Sequence, residues 1–264
     1  MTDQPPAKAS VPAIEMTGVA VSALRNPDTL VAEGINWTVN AGDYWVVAGF
    51  HGSGKSDFLM MTGGLMAPRH GRYRFFGGEM PIFEEGRLQE RLRLGVVFDG
   101  GQLFNHLTVA ENVALPLRYH RNLSEGQAAA AVGELLECTE LAPWAESTPS
   151  VLGRAWQKRA GLARALALKP EVLLVDNPLA GLDPRHVHWW LAFLDQLASG
   201  HRLMGGRPMT LVVATADVRP WKGHARQFAS LRNRGFVAHG PWAQMEGVDA
   251  ELAQELLTEP RQSE

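Results

Sequence analysis

"GFHGSGKS", residues 49–56, is the stretch that decides the fold. It satisfies G-x-x-x-x-G-K-[ST]. It stands between the apolar run "YWVVA", which reads as a buried strand, and "SDFLMMTGGL", which reads as a helix. That context gives the pattern its chemistry. Glycines let the backbone wrap so that its N–H groups face phosphate oxygens. Lys55 carries charge to the β- and γ-phosphates, and the Ser56 hydroxyl can ligate Mg²⁺. Gly49, Phe50, His51, Gly52, Ser53, Gly54, Lys55, Ser56 and Asp57 form the candidate nucleotide-binding stretch. Asp57 is unusual there. An acid in the first helical turn suits the helix dipole, but bound phosphates occupy the same positive end. Either Asp57 competes with nucleotide or its carboxylate points away into solvent.

Outward from this loop, strands alternate with helices. Residues 14–47 read as strands, with a turn at Asn40-Ala41-Gly42. "GRYRFFGGEM" reads as a strand and turn, and "LGVVFD" as a short buried strand ending on Asp99. Residues 107–141 read mostly as helix, with Ser124 an N-cap and Gln127 three residues later. "QKRAGLARALAL" is a further helix, ended before Pro170. Strands are expected at 172–175 and 210–215, and "VDAELAQELL" reads as a terminal amphipathic helix. The alternation predicts an α/β fold with a largely parallel central sheet and an inserted helical subdomain.

Composition narrows the class. The 264 residues suffice for one large domain with a substantial core. The net charge of −3 predicts no nucleic-acid partner and no bulk attraction to anionic lipid. Cys138 is the single cysteine, so neither an internal disulfide nor a multi-cysteine zinc site is available. No apolar run approaches the roughly 20 residues that span a bilayer. "MTDQPPAKASVPA" has no hydrophobic h-region and reads as a flexible arm. The expected location is the cytoplasm, with any membrane role exerted through a partner.

Four further segments carry a family resemblance. "VLLVDNPLAGLDP" resembles the Walker B and D-loop of ABC ATPases, and "RAGLARALALKP" the helix after their signature. "LVVATAD" resembles the switch-histidine strand, and "VVFDGGQLFNHLTVAENVALPLRYH" the Q-loop and the start of the helical subdomain. Within that family, "LFNHLTVAENVALPLRYH", "GGLMAPRHG" and "GFVAHG" resemble the ATPase subunits of Mce-type phospholipid transporters, which serve lipid trafficking between the two membranes of Gram-negative bacteria.

The resemblance implies a P-loop NTPase (RecA-like) core, with antiparallel strands at the N-terminus and an inserted α-helical subdomain. An arm over residues 1–11 would precede an ABC ATPase domain over 12–245. That domain divides into a core of 12–100 and 159–245 and a helical subdomain of about 101–158. A C-terminal helix and tail would fill 246–264. The implied cofactors are ATP and Mg²⁺, with Ser56, Asp176 and also Asp99 as candidate metal ligands. The implied partners are a second ATPase subunit, identical or different, and a transmembrane permease. The chain would then lie peripherally on the inner membrane.

Against that pattern the chain keeps the phosphate loop and Asp176 but departs at the signature, the Q-loop, the catalytic glutamate and the switch histidine. The signature L-S-G-G-Q is replaced by Leu152-Gly153-Arg154-Ala155-Trp156. Asp99 stands at the Q-loop glutamine, Asn177 at the catalytic glutamate and Ala216 at the switch histidine. The adenine-stacking aromatic is missing from "VAVSALRNP". An amide cannot take a proton as a carboxylate can, and general-base assistance is worth about 10²–10⁴ in rate. One positioned transition-state donor is worth about 10²–10³. In the implied dimer each site joins the Walker motifs of one subunit to the signature of the other, so both composite sites are damaged whatever the partner.

Some residues keep two readings. Arg154 either faces a partner's γ-phosphate like an arginine finger or is a solvated arginine at a helix start. Asp99 either replaces glutamine as a metal ligand or repels triphosphate. His186 and His188, two apart, point to different sides of a helix and read as packing or surface residues rather than a metal site. The expected function is a transporter ATP-binding subunit, in phospholipid transport by resemblance, with little or no hydrolysis. The alternatives are a working ATPase built from non-standard residues and a soluble regulator that has left the transporter.

Overall fold

The computed structural model describes residues 11–82, 84–245 and 247. The expected arm lies almost wholly outside these residues, as does the terminal helix and tail.

Two sheets organise the chain. Strands β1 (Ile14–Ala23), β2 (Asn26–Val39), β4 (His70–Phe75) and β5 (Gly78–Glu79) form an antiparallel sheet in the order β2-β1-β4-β5. The second sheet has six strands: β3 (Tyr44–Ala48), β6 (Leu94–Val97), β7 (Val172–Asp176), β8 (Thr210–Thr215), β9 (Gln227–Arg232) and β10 (Gly235–Gly240). Their order is β10-β9-β3-β8-β7-β6, parallel throughout except for the β9–β10 hairpin.

The parallel strands are apolar on both faces because both faces are covered. Tyr44, Val46 and Ala48 join one core with Leu173, Val175, Leu211 and Val213. The alternate residues Trp45 and Val47 join the other, with Val172, Leu174, Val212 and Ala214. The period of two in side-chain direction thus builds two cores from one continuous apolar run. The first core is closed by helices α5 (Arg154–Leu166) and α6 (Pro184–Ser199). The second is closed by α1 (Lys55–Thr62) and the antiparallel sheet.

Between β6 and α5 lie α3 (Val109–Arg121) and α4 (Glu125–Cys138); the short α2 (Leu88–Arg91) precedes β6. The mostly helical stretch expected over 107–141 is two helices, the second starting at the expected Ser124 N-cap. Asn122 breaks it in the left-handed region at φ 52°, and Ser124 caps α4 in a reciprocal box with Gln127. Strand β6 also stops short of Asp99. It closes at Val97, which leaves the carboxylate in the following turn.

Register places the site. Ala48 pairs with Thr215, Asp176 with Ala214, and Val97 with Val175. The loops after β3, β6, β7 and β8 therefore emerge together at the carboxyl edge, where open α/β sheets bind ligands.

Candidate functional site

The loop after β3 is a tight backbone nest. The Gly49 N–H donates to Thr215 O at 3.1 Å, and Ser53 N–H to Phe50 O at 3.1 Å. A Cβ on Gly49 would lie 2.5 Å from Ser53 Oγ and 2.7 Å from Leu231 O, so only glycine fits there. Gly54 caps α1 at φ 85°, a left-handed conformation that glycine adopts without a steric penalty. The Lys55 ammonium, buried, donates to Gly49 O at 2.7 Å and to Phe50 O at 2.6 Å. Burial lowers its pKa from the ordinary lysine value. Ser53 Oγ is buried without a hydrogen-bond partner. A polar atom left over in a nest of amides fits an oxygen-rich anion.

Ser56 Oγ donates to Asp176 Oδ2 at 2.6 Å, which joins the first turn of α1 to the end of β7. Asp176 is buried, and that burial raises its pKa. A hydroxyl and a carboxylate in contact are hard oxygen donors of the kind Mg²⁺ takes.

Asp57 follows neither of its expected readings. Its Oδ1 accepts the Leu24 N–H at 2.8 Å, so the carboxylate ties α1 to the β1–β2 hairpin. The helix dipole favours an acid here, and the hairpin amide supplies it with a partner other than water or phosphate.

Asp99 does not stand as a free ligand. Its Oδ1 lies 3.0 Å from Lys158 Nζ and accepts from Arg154 Nη2 at 3.1 Å; the same nitrogen reaches Oδ2 at 3.2 Å. Burial works to raise the Asp99 pKa, but Lys158 and Arg154 outweigh it and hold it below the usual carboxylate range. Arg154 is thus neither free nor merely solvated. Lys158 is the functional neighbour that sequence reasoning missed. It is 1% exposed, and its ammonium also donates to the carbonyls of Asn177 at 2.7 Å, Ala180 at 3.2 Å and Pro178 at 3.3 Å. Its one local signal is the four-residue spacing from Arg154, which puts both cations on one helix face.

Gly153 caps α5, and Trp156 turns inward. Its ring lies 5.1 Å from that of His186 and 6.4 Å from that of Trp144. Arg159 lies over Trp156 and Trp189, at 4.6 and 3.7 Å, so Trp189 packs on it and His186 is a packing residue rather than a metal ligand. Leu152 is buried and Ala155 half-buried beside them. Asn177 sits in the left-handed region at φ 48°. A cavity of about 490 Å³ opens beside it, lined by His51, Asp99, Arg154, Asn177, Ala216 and Asp217. Asp217, also unforeseen, is held by Arg219 at 2.8 Å. The structure therefore gathers the expected positions 51, 99, 154, 177 and 216 around one space.

A phosphate loop on a parallel sheet, with a serine and an aspartate joined across its mouth, defines a P-loop nucleotide-site architecture. The pattern of the ABC transporter family matches residues 32–180, and the chain belongs to that family. It is 34% identical over 211 residues to the intermembrane phospholipid transport system ATP-binding protein MlaF of Escherichia coli K12, covering 80% of this chain and 76% of that protein. It is 31% identical over 227 residues to the methionine import ATP-binding protein MetN of Streptococcus pyogenes serotype M4, covering 83% of this chain and 62% of that one. Among solved structures it is similar to the dimeric post-hydrolysis state of the ATP-binding cassette MJ0796 bound to ADP and Pi, with a TM-score of 0.73, 26% identity and coverage of 84% and 95%. The fold is shared with cbiO1 of Clostridium perfringens, part of the ABC transporter complex cbiONQ, at a TM-score of 0.74, 21% identity and coverage of 93% and 94%.

Proposed function

We propose that this chain is an ATP-binding subunit of a phospholipid transporter of the ABC family that binds nucleotide and hydrolyses little or none. One observation carries the reading. Among the described residues, the three carboxylates that follow or end β6, β7 and β8 are each already partnered. Asp99 is paired with Arg154 and Lys158, Asp217 with Arg219, and Asp176 with Ser56. The residue after Asp176 is an amide, and Ala216 offers no donor. The phosphate-binding parts, by contrast, are complete. Gly49 to Ser56 would hold the phosphates, and Ser56 with Asp176 would hold Mg²⁺, which supplies charge to the phosphate oxygens when bound. Asp99 does not fit as a ligand, because two cations already hold it.

The lipid assignment rests on the likeness to MlaF. A second subunit would meet the face carrying Gly153 to Trp156. A permease would dock in the open cavity of about 540 Å³ between β6, α3 and α5, lined by Leu94, Phe98, Leu115, Leu168 and the outward Phe104 and Tyr119. Among the described residues no helix is long and apolar enough to cross a membrane, so attachment to the cytoplasmic face would come through that partner. Core segments 12–100 and 159–245 would carry the nucleotide, and the helical unit 101–158 the partner contacts.

The test is equilibrium ATP binding together with steady-state turnover of the purified protein. Measurable binding that Lys55→Ala abolishes, with Mg²⁺-dependent turnover no higher than in that variant, is expected. Turnover well above Lys55→Ala overturns the reading. Co-purification with a hydrophobic membrane subunit checks the transporter assignment.

A further inference from the structure

The groove between β6, α3 and α5 has a mouth unlike its floor. Leu94 and Gly95 are buried in it, whereas Phe104 and Tyr119 stand at the mouth, 52% and 81% exposed. Neither ring is there by looseness. Phe104 N–H donates to Asn112 Oδ1 at 2.8 Å, and Asn112 Nδ2 donates back to Phe104 O at 3.0 Å, from a fully buried amide. Tyr119 sits on α3 with its ring edge-on to His120, 4.8 Å between centroids. The fold holds two aromatic side chains out into water.

Around the same mouth the charge has one sign. Arg164 lines the groove and donates only to the carbonyls of Gly101 and Gln102, both at 2.8 Å. His120 lines it too. Burial, then the charges of Arg91 and Arg121, lowers its pKa, and no carboxylate opposes them. Arg118 is exposed three residues before Arg121, on the same side of α3. Among the described residues none of these four arginines meets a carboxylate. Elsewhere Arg72, Arg74, Arg87, Arg93 and Arg219 each pair with one.

We propose that this rim is a membrane-contact surface. Phe104 and Tyr119 enter the headgroup layer of an anionic bilayer, and Arg91, Arg118 and Arg121 meet its phosphates. Aromatic rings settle at a membrane–water boundary, and arginine binds phosphate oxygens with a planar fork. The net charge of −3 does not prevent this. At about 0.1 M salt charges further than roughly 10 Å away are screened, so the rim acts on its own. The inference takes from the proposed function only which face turns to the bilayer. A face that docks a permease faces the membrane, so the rim around that seat meets headgroups.

The experiment is co-sedimentation of the purified chain with vesicles. One set holds equal parts of phosphatidylglycerol and phosphatidylcholine, the other phosphatidylcholine alone. Each arginine near an anionic surface is worth about fivefold, so three should favour the mixed vesicles by about a hundredfold. Arg91→Gln with Arg121→Gln should weaken binding to mixed vesicles by about twenty-five-fold. Arg91→Lys with Arg121→Lys, which keeps the charge, should restore it. Tyr119→Ser should weaken binding to both sets and leave their ratio unchanged. Glutamine and lysine are good helix formers, and thermal unfolding checks that each variant folds. A preference for mixed vesicles below about threefold overturns the inference. Displacement by inorganic phosphate at equal ionic strength overturns it too, since the rim is then a free-anion site. So does loss of a co-purifying membrane subunit in the glutamine variant with vesicle binding unchanged, which assigns the rim to a protein. Vesicle binding is read on the chain alone, so its failure leaves the nucleotide and permease readings standing.

Discussion

Arg159 Nη2 lies 3.0 Å from His186 Nδ1, across the contact between α5 and α6. A guanidinium only donates, so this ring nitrogen accepts and the imidazole is neutral, with its proton on Nε2 toward Asp183. The two residues thereby fix a tautomer that neither element specifies alone.

This pairing sets a pH dependence. Burial, then the charge of Arg159, lowers the His186 pKa from its ordinary value of 6.5, with Asp183 and Glu140 opposing and Arg185 adding to the effect. The unfolded chain therefore takes up the proton first. The stability contributed by neutral His186 is present above about pH 6.5 and lost as pH falls below it. Denaturant unfolding between about pH 5 and 7 should show a smaller loss for His186→Gln than for the wild type.

Lys158→Met should destabilise the fold by about 2–4 kcal/mol, because it removes the ammonium shared by Asp99 and three carbonyls and leaves those acceptors under-satisfied in a buried place. The denaturant midpoint measures this. Amide exchange should quicken in the turn after β7 in the same variant.

Asp57→Ala should release the β1–β2 hairpin from α1. The Leu24 amide, bonded to Asp57 at 2.8 Å, should lose its protection against hydrogen exchange. The global stability should fall by about 1 kcal/mol, the net worth of one hydrogen bond.

Asn177→Glu places a carboxylate after Asp176 and should still give no turnover under the proposed function, since Ala216 and the segment from Gly153 to Trp156 are unchanged. The ATPase rate should stay at that of Lys55→Ala. The variant should also be about 1 kcal/mol less stable, because position 177 sits at φ 48°, which asparagine tolerates better than glutamate.

The phosphate loop was legible because its information is local. Eight consecutive residues state where the backbone must turn and where the lysine stands. The strands were legible for the same reason, as "YWVVA" and "VLLVD" alternate between two cores. The roles of Asp57, Asp99 and Arg154 were not, since each depends on a partner brought close by the sheet. Asp57 meets an amide 33 positions earlier, and Arg154 a carboxylate 55 positions earlier.

By itself the sequence determined the class of fold and the place of the Gly-rich loop between a strand and a helix, and it puts an amide at 177, an alanine at 216 and Gly-Arg-Ala-Trp at 153–156. These follow from residue type and short-range order. Only the tertiary structure decided where the charges go. It turned Asp57 toward the hairpin, placed Lys158 under Asp99 and closed Ser56 on Asp176. The reason is that electrostatic and hydrogen-bond energies depend on distances of about 3 Å, and the packing of the helices on the parallel sheet sets those distances.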